Sequence, residues 1–378
     1  MPSPVALFVY NRADNTRRTI EALLANTLAT QTDLYVFSDG GRDEESWRAV
    51  REVRSLLHEV EAEVSRTRTL NSITIVERPT NYYLERNIIE GISQVFEQHD
   101  TIIVLEDDIV TAPHFLQFMN DAFRLYKDDK RVMHVSGFTR IEPRPARNEE
   151  PRRMKDEESR FAGNEEYESS SSSEGETHSS FAIRHSSQQE GETEMLHSSF
   201  YFSPFMAGWG WGTWRDRWNG HFLHFGSREE ALKGLTPSNR EAIEYGGVFP
   251  CLKDLDRSPI PWDICWSIAI RQCGGLCLYP THTLVRNIGL TGGTHYGLTD
   301  LQFSLFKFHF SLNLSRLLWH YDYDREPYEG KIEVVYEEPA VSQQIEAQMH
   351  EALTDWGIRY TWLGRVLRFV YLRIKGRR

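Results

Sequence analysis

At 378 residues, with 40% hydrophobic and 12% aromatic side chains, the chain can bury one large core or two modest ones. Its formal charge of −12 is concentrated: residues 149–194 hold 13 acidic and 5 basic side chains, −8 in all, and the remaining −4 excludes a nucleic-acid-binding surface. Neither a signal peptide nor a membrane span is expected; with only Cys251, Cys265, Cys273 and Cys277, free thiols in a cytoplasmic setting are expected, and the last three lack zinc spacing.

Pro4 to Tyr10 reads as a first buried strand, followed by an exit loop from Asn11 to Asn15 and a helix over Thr16 to Asn26. Leu34 to Phe37 is a second strand ending in Ser38-Asp39-Gly40-Gly41, and Trp47 to Val64 an amphipathic helix. Ile73 to Val76 is a third strand, and Asn87 to Gln98 a helix. Alternating strands and helices with short connections imply an α/β fold, a mainly parallel sheet flanked by helices. Pro113 to Tyr126 then reads as a helix, and Val132 to Ser136 as another strand.

Between these lies Thr101 to Val110, T-I-I-V-L-E-D-D-I-V. Four apolar residues make a strand buried on both faces. Glu106, Asp107 and Asp108 follow at once, where ligands of open α/β sheets bind. Adjacent carboxylates at the end of a buried strand repel one another, and Mg²⁺ or Mn²⁺ would remove that penalty. The alternative is a solvated acidic cluster.

From Glu142 to about His197 there is no apolar periodicity, and Ser169 to Ser173 is a serine run; this is read as a disordered acidic insertion. Order returns at Phe200. Gly208, Gly210 and Gly212 alternate with Trp209 and Trp211, as a close backbone approach to a ligand beside flat aromatic faces would need; packing in the core is the alternative. Asp263, between Trp262 and Ile264 at the start of an apolar helix, is either a helix N-terminal carboxylate or a partly desolvated general base. Leu276 to Tyr279 is a strand, and the glycine-rich loop Asn287 to His295 ends in a histidine that near a metal becomes a ligand candidate. Ser342 opens a helix that Gly357 ends, and Tyr360 to Lys375 is a second, with clustered arginines. That last helix suits an anionic membrane surface, its own domain or a second subunit, which leaves a homo-oligomer open.

In this order the motifs resemble a GT-A (Rossmann-like) glycosyltransferase, similar to bacterial family 2-like sugar transferases and the N-acetylglucosaminyltransferase I group. The resemblance covers Pro4 to about His295 except the insertion, and nothing after about Thr299 is aligned. V-A-L-F-V-Y-N-R resembles the nucleotide-binding opening, which implies that Arg12 contacts uridine or phosphate. F-S-D-G implies that Asp39 meets the uracil ring, and N-Y-Y-L-E-R-N-I-I-E-G makes Arg86 and Asn87 secondary contacts. L-E-D-D-I resembles the D-x-D-like motif, with Asp108 on the metal and Asp107 facing ribose or sugar; Glu106 and His295 are further ligand candidates by residue type. M-A-G-W-G-W, with Trp209, Gly210 and Trp211, resembles the donor-pocket floor, and P-W-D-I-C-W carries the base, Asp263.

The organisation implied is a nucleotide-sugar-binding half over 1–140, the insertion over 141–198, the acceptor and catalytic half of the same domain over 199–300, and a helical extension with a basic amphipathic end over 301–378. The activity implied is Mn²⁺- or Mg²⁺-dependent transfer from a nucleotide-diphosphate sugar, a UDP-sugar by the resemblance, to a glycan or lipid-linked acceptor. Inversion by one Asp base is expected, at the inner face of the membrane if 360–378 binds it. The alternative is a non-catalytic nucleotide-sugar-binding or scaffold protein of the same fold.

Overall fold

The computed structural model describes residues 1–141, 143, 199–289 and 325–357, the side chains of 354–357 excepted. The acidic insertion, His295 and the stretch from Tyr360 to Arg378 lie outside the described residues.

Strands β1 (Val5–Val9), β2 (Asp33–Ser38), β3 (Ser72–Glu77) and β4 (Thr101–Glu106) pair in parallel in the order β3-β2-β1-β4. Helices α1 (Ala13–Leu24), α2 (Glu44–Thr67) and α3 (Tyr83–Phe96) connect them. Val5, Ala6 and Leu7 are wholly buried, as are Ile102 and Ile103. Full burial of a Val, Leu or Ile side chain is worth about 1.5–3 kcal/mol, so these runs anchor the sheet. Helix α2 begins three residues before the expected Trp47. The Asp43 side chain accepts from the Ser46 amide at 2.7 Å and the Ser46 hydroxyl covers the Asp43 amide, a capping box that satisfies two orphan donors.

The acidic stretch is not one strand. It turns at Asp107-Asp108 and resumes as β5 (Ile109–Thr111), which leads into α4 (Phe115–Leu125) and β6 (Val132–Ser136). After the insertion come β7 (Phe200–Ser203) and β8 (Trp211–Trp214), and β8 inserts antiparallel between β4 and β6. Three short helices, α5 (Arg215–His221), α6 (Arg228–Lys233) and α7 (Pro237–Ile243), precede α8 (Trp262–Gln272) and β9 (Leu276–Pro280). The eight-stranded sheet reads β3-β2-β1-β4-β8-β6-β9-β7, so the stretches before and after the insertion share one sheet. β10 (Val285–Asn287) pairs antiparallel with β5 and brings the next loop against the acidic turn.

Near the end, α9 (Gln343–Gly357) starts where the Ser342 hydroxyl accepts from the Ile345 amide at 3.1 Å. It buries Ile345, Met349 and Leu353, an i, i+4, i+8 face. The segment before it is tied down by the Tyr126 hydroxyl, which donates to the Glu337 carbonyl at 3.1 Å and accepts from the Glu337 amide at 3.0 Å. Among the described residues, no helix is long and apolar enough to cross a membrane.

Candidate active site

The carboxyl ends of β1, β2 and β4 fall side by side, because Phe8 is level with Glu106 and Val9 with Ser38. This register places Arg12, Asp39 and the acidic triplet along one edge, where parallel α/β sheets hold their ligands. The Arg12 guanidinium reaches Asp107 through both Nη2 and Nε, the latter at 3.3 Å, and Nη2 lies 3.0 Å from Asp108 Oδ2. The Thr19 hydroxyl donates to the Asp107 carbonyl at 2.9 Å, and the Ile288 amide to the Asp108 carbonyl at 2.8 Å. Gly289 presses on this pair: a Cβ there would lie 2.0 Å from Asp108 Oδ2 and 2.8 Å from the Arg12 guanidinium. A larger residue there would have to push the Asp108 carboxylate and the Arg12 guanidinium aside.

Electrostatics follow from this crowding. Burial, then the charges of Asp108 and Asp107, push the Glu106 carboxyl up to about 8, and Asp263 adds to the effect. Burial likewise raises Asp107 to about 6 against the pull of Arg12. Burial works against the Arg12 charge, but Asp107 and Asp108 outweigh it and hold the guanidinium above its ordinary range. With Glu106 mostly protonated at neutral pH, one guanidinium still faces two ionised carboxylates, which leaves net negative charge on hard oxygen donors and fits a divalent cation. Among the described residues, no three His, Cys, Asp or Glu side chains gather closely enough to hold a metal. Such a cation would therefore rest on one or two carboxylates plus phosphate oxygens, as Mg²⁺ commonly does.

Asp39 is buried and already engaged. Its Oδ1 accepts from the Gly40 amide at 2.9 Å and the Tyr82 amide at 2.7 Å, and its Oδ2 from Asn81 Nδ2 at 3.1 Å. Burial raises its carboxyl, with those amides opposing. Arg86 is exposed, paired with Glu90 at 2.7 Å and stacked 3.7 Å above the Tyr82 ring. Asn87 points instead into the core, accepting from Arg78 Nε at 3.0 Å and donating to the Phe37 carbonyl at 3.4 Å. Arg78 itself escaped the sequence reading. It follows β3 as Arg12 follows β1, is nine-tenths buried between the Phe37 and Tyr82 rings, and keeps a buried Nη2 with no hydrogen-bond partner among the described residues. A buried, unsatisfied donor just past the end of β3 suits a ligand acceptor atom.

The glycine-tryptophan stretch serves packing more than the ligand approach expected of it. A Cβ on Gly212 would lie 2.3 Å from the Ile102 carbonyl, and Gly210, at φ +57°, abuts Val285. Gly212 lets β8 lie against β4, and Gly210 lets the turn before β8 pass beside β10. Trp211 is wholly buried, its faces covered by His134 and Trp262, each with ring centroids 5.1 Å away. His134 accepts from Trp266 Nε1 at 3.3 Å and donates from Nε2 to the Ala207 carbonyl at 3.1 Å, which fixes the neutral tautomer. Burial drives its pKa down to about 3.

Trp209, by contrast, is half-buried against Phe138 and lines a cavity of about 160 Å³. Gly208 and Met206 share its wall. Opposite stand Asp263, Ser267 and Arg271, one polar stripe of α8 at i, i+4, i+8. Asp263 accepts from the Ile264 amide at 2.9 Å, and burial pushes its carboxyl up to about 6.

Residues 1–140 match the GNT-I family model. The matched segment carries β1 to β6, with Arg12, Asp39 and the acidic triplet. Among solved structures the chain is similar to S. aureus TarS 1-349 in complex with UDP-GlcNAc, at 15% identity over 39% of this chain and 36% of that one, TM-score 0.27. It is also similar to the mannosyltransferase PcManGT from Pyrobaculum calidifontis in complex with GDP-Man and Mn²⁺, at 16% identity over 36% and 37%, TM-score 0.24. The chain thus spans little more than a third of the length of either. No curated protein matches it. The GNT-I match over residues 1–140 and the mainly parallel, helix-flanked sheet agree with the GT-A resemblance of the motifs.

Proposed function

We propose that the protein is a metal-dependent, inverting glycosyltransferase that uses a nucleotide-diphosphate sugar, a UDP-sugar by the motif resemblance. The observation that carries this is the Arg12-bound carboxylate pair at the sheet edge, with a second, partly buried carboxylate, Asp263, in the wall of the Trp209 cavity. Residues 1–140 are assigned to the donor and 199–300 to the acceptor. Asp39 and Arg78 face the nucleobase, and Arg12 holds Asp107 ionised beside the sugar. Asp108, with Glu106, would hold Mn²⁺ or Mg²⁺, which when bound stabilises negative charge on the leaving diphosphate. Asp263 accepts the proton of the acceptor hydroxyl as that oxygen attacks the anomeric carbon and the phosphate oxygen departs with the bonding pair. A carboxyl near 6 is ionised at neutral pH yet more basic than an ordinary aspartate. One base opposite the leaving group gives inversion, by the geometric logic known for glycosidases.

Incubation with a panel of nucleotide sugars and Mn²⁺ tests the reading through release of free nucleoside diphosphate. Release from one donor by the wild type, and its loss in Asp108→Asn, are expected. A protein that binds donors without releasing nucleotide under any condition would instead be the non-catalytic relative.

A further inference from the structure

The cavity beside Asp263 has a polarity that the transfer chemistry leaves unexplained. Among the residues that line this cavity are two arginines, Arg140 and Arg271, and one carboxylate, Asp263. Cys251, also in the wall, is held neutral because burial pushes its thiol up to about 12.

Arg271 is half-buried two turns beyond Asp263 on α8. Its guanidinium makes no hydrogen bond or ion pair among the described residues; it lies 5.0 Å over the Tyr245 ring. Tyr245 is itself buried in a left-handed conformation, φ +49°, followed by Gly246 and Gly247, also at positive φ. A bulky residue held there is strained and persists where the surroundings over-determine it. Here the strained turn offers its ring to a cation whose donors stay unused. Arg140, 7% exposed, is fixed over the Phe205 ring at 5.0 Å on another wall. Arginine stacked on aromatics with its planar fork turned to a cavity is suited to a carboxylate or a phosphate.

We infer that this cavity takes an anionic sugar, an acceptor bearing a carboxylate or phosphate whose charge is read by Arg271. The inference rests on the glycosyltransferase reading only for the word acceptor; the anion preference belongs to the cavity. Asp263 and Arg271 are eight residues apart, about 12 Å along a helix axis. The reacting hydroxyl and the charged group would therefore belong to different ends of the substrate.

Ligand-observed NMR titration with D-glucuronate, glucose 6-phosphate and methyl β-D-glucoside tests this on the full chain, with UDP and Mn²⁺ titrated in parallel. At least one acidic sugar should bind about tenfold or more tightly than the neutral glucoside, as a charge-assisted pair implies. Whichever acid binds better identifies carboxylate or phosphate. Arg271→Gln should abolish the preference, Arg271→Lys should keep part of it, and both should leave UDP affinity unchanged. Equal response to the three sugars, including none to any, overturns the inference, as does an undiminished preference in Arg271→Gln. Failure of UDP to bind the wild type while the acidic preference holds removes the glycosyltransferase reading and leaves the anion site standing.

Discussion

Replacing Asp263 with asparagine should make the protein more stable and less active together. Burial raises this carboxyl from 3.8 to about 6. Since the folded state binds the proton more tightly than the unfolded chain, this group's favourable contribution is complete below about 3.8 and is lost as pH rises through about 6. That rise corresponds to about 3 kcal/mol of cost for the ionised form at pH 8. That figure is an upper bound, because Asp263 is only half-buried. Asparagine carries no charge, and its side-chain oxygen can still accept from the Ile264 amide that Asp263 now engages at 2.9 Å. Urea unfolding should show Asp263→Asn gaining about 1–3 kcal/mol over the wild type at pH 8 and almost nothing near pH 4. Turnover should fall by about 10²–10⁴-fold with donor affinity retained, the usual share of a general base. Wild-type turnover should rise with pH through about 6 as the base ionises. A stability difference that does not depend on pH would refute the burial argument, and unchanged turnover would refute the role as base.

Arg12→Met strips Asp107 and Asp108 of their counter-charge, and their side chains are 4% and 12% exposed. Unpairing such buried charges costs about 3 kcal/mol, so urea unfolding should shift by that amount and Mn²⁺ should recover part of it; an unshifted midpoint would mean the pair is idle. Arg78→Lys keeps a donor for Asn87 but loses the fork, and UDP should bind about tenfold more weakly by calorimetry. Unaltered affinity would separate the buried Nη2 from the nucleotide. Removal of 360–378 should release the protein from anionic liposomes at low salt, as expected of a basic amphipathic helix; equal co-sedimentation of the two proteins would exclude a membrane role for that segment.

The strands were legible where burial on both faces forces an uninterrupted apolar run, as in Val5–Val9 and Thr101–Glu106. Helix starts were less so, because Asp43 caps α2 with polar residues that carry no periodicity. The glycine-tryptophan stretch shows a deeper limit. Glycine marks a close approach without saying to what, and at Gly212 the neighbour is the backbone of β4. Trp211 and Trp209 look alike in sequence, yet one is walled in by His134 and Trp262 while the other borders the cavity. The acidic triplet was evident from composition alone, but its partner Arg12 lies 95 residues away and meets it only because β1 and β4 pair in parallel. Arg78 was missed for want of a motif. Its signal was positional: a cation just past the carboxyl end of a parallel strand, as Arg12 is. Short helices α6 and α7 were missed too, although Ser227 and Thr236 are N-caps whose hydroxyls accept from Glu230 and Asn239.

On the glycosyltransferase reading the carboxylates ending β4 bind a nucleoside diphosphate through a divalent cation. Calorimetric titration of UDP into the protein, with Mn²⁺ and then with EDTA, tests this binding. GDP serves as the second nucleotide and Asp108→Asn as the control. One nucleotide should bind with Mn²⁺ and lose at least about tenfold in affinity in EDTA or in Asp108→Asn. Binding equally tight in EDTA, or undiminished in Asp108→Asn, would contradict the account.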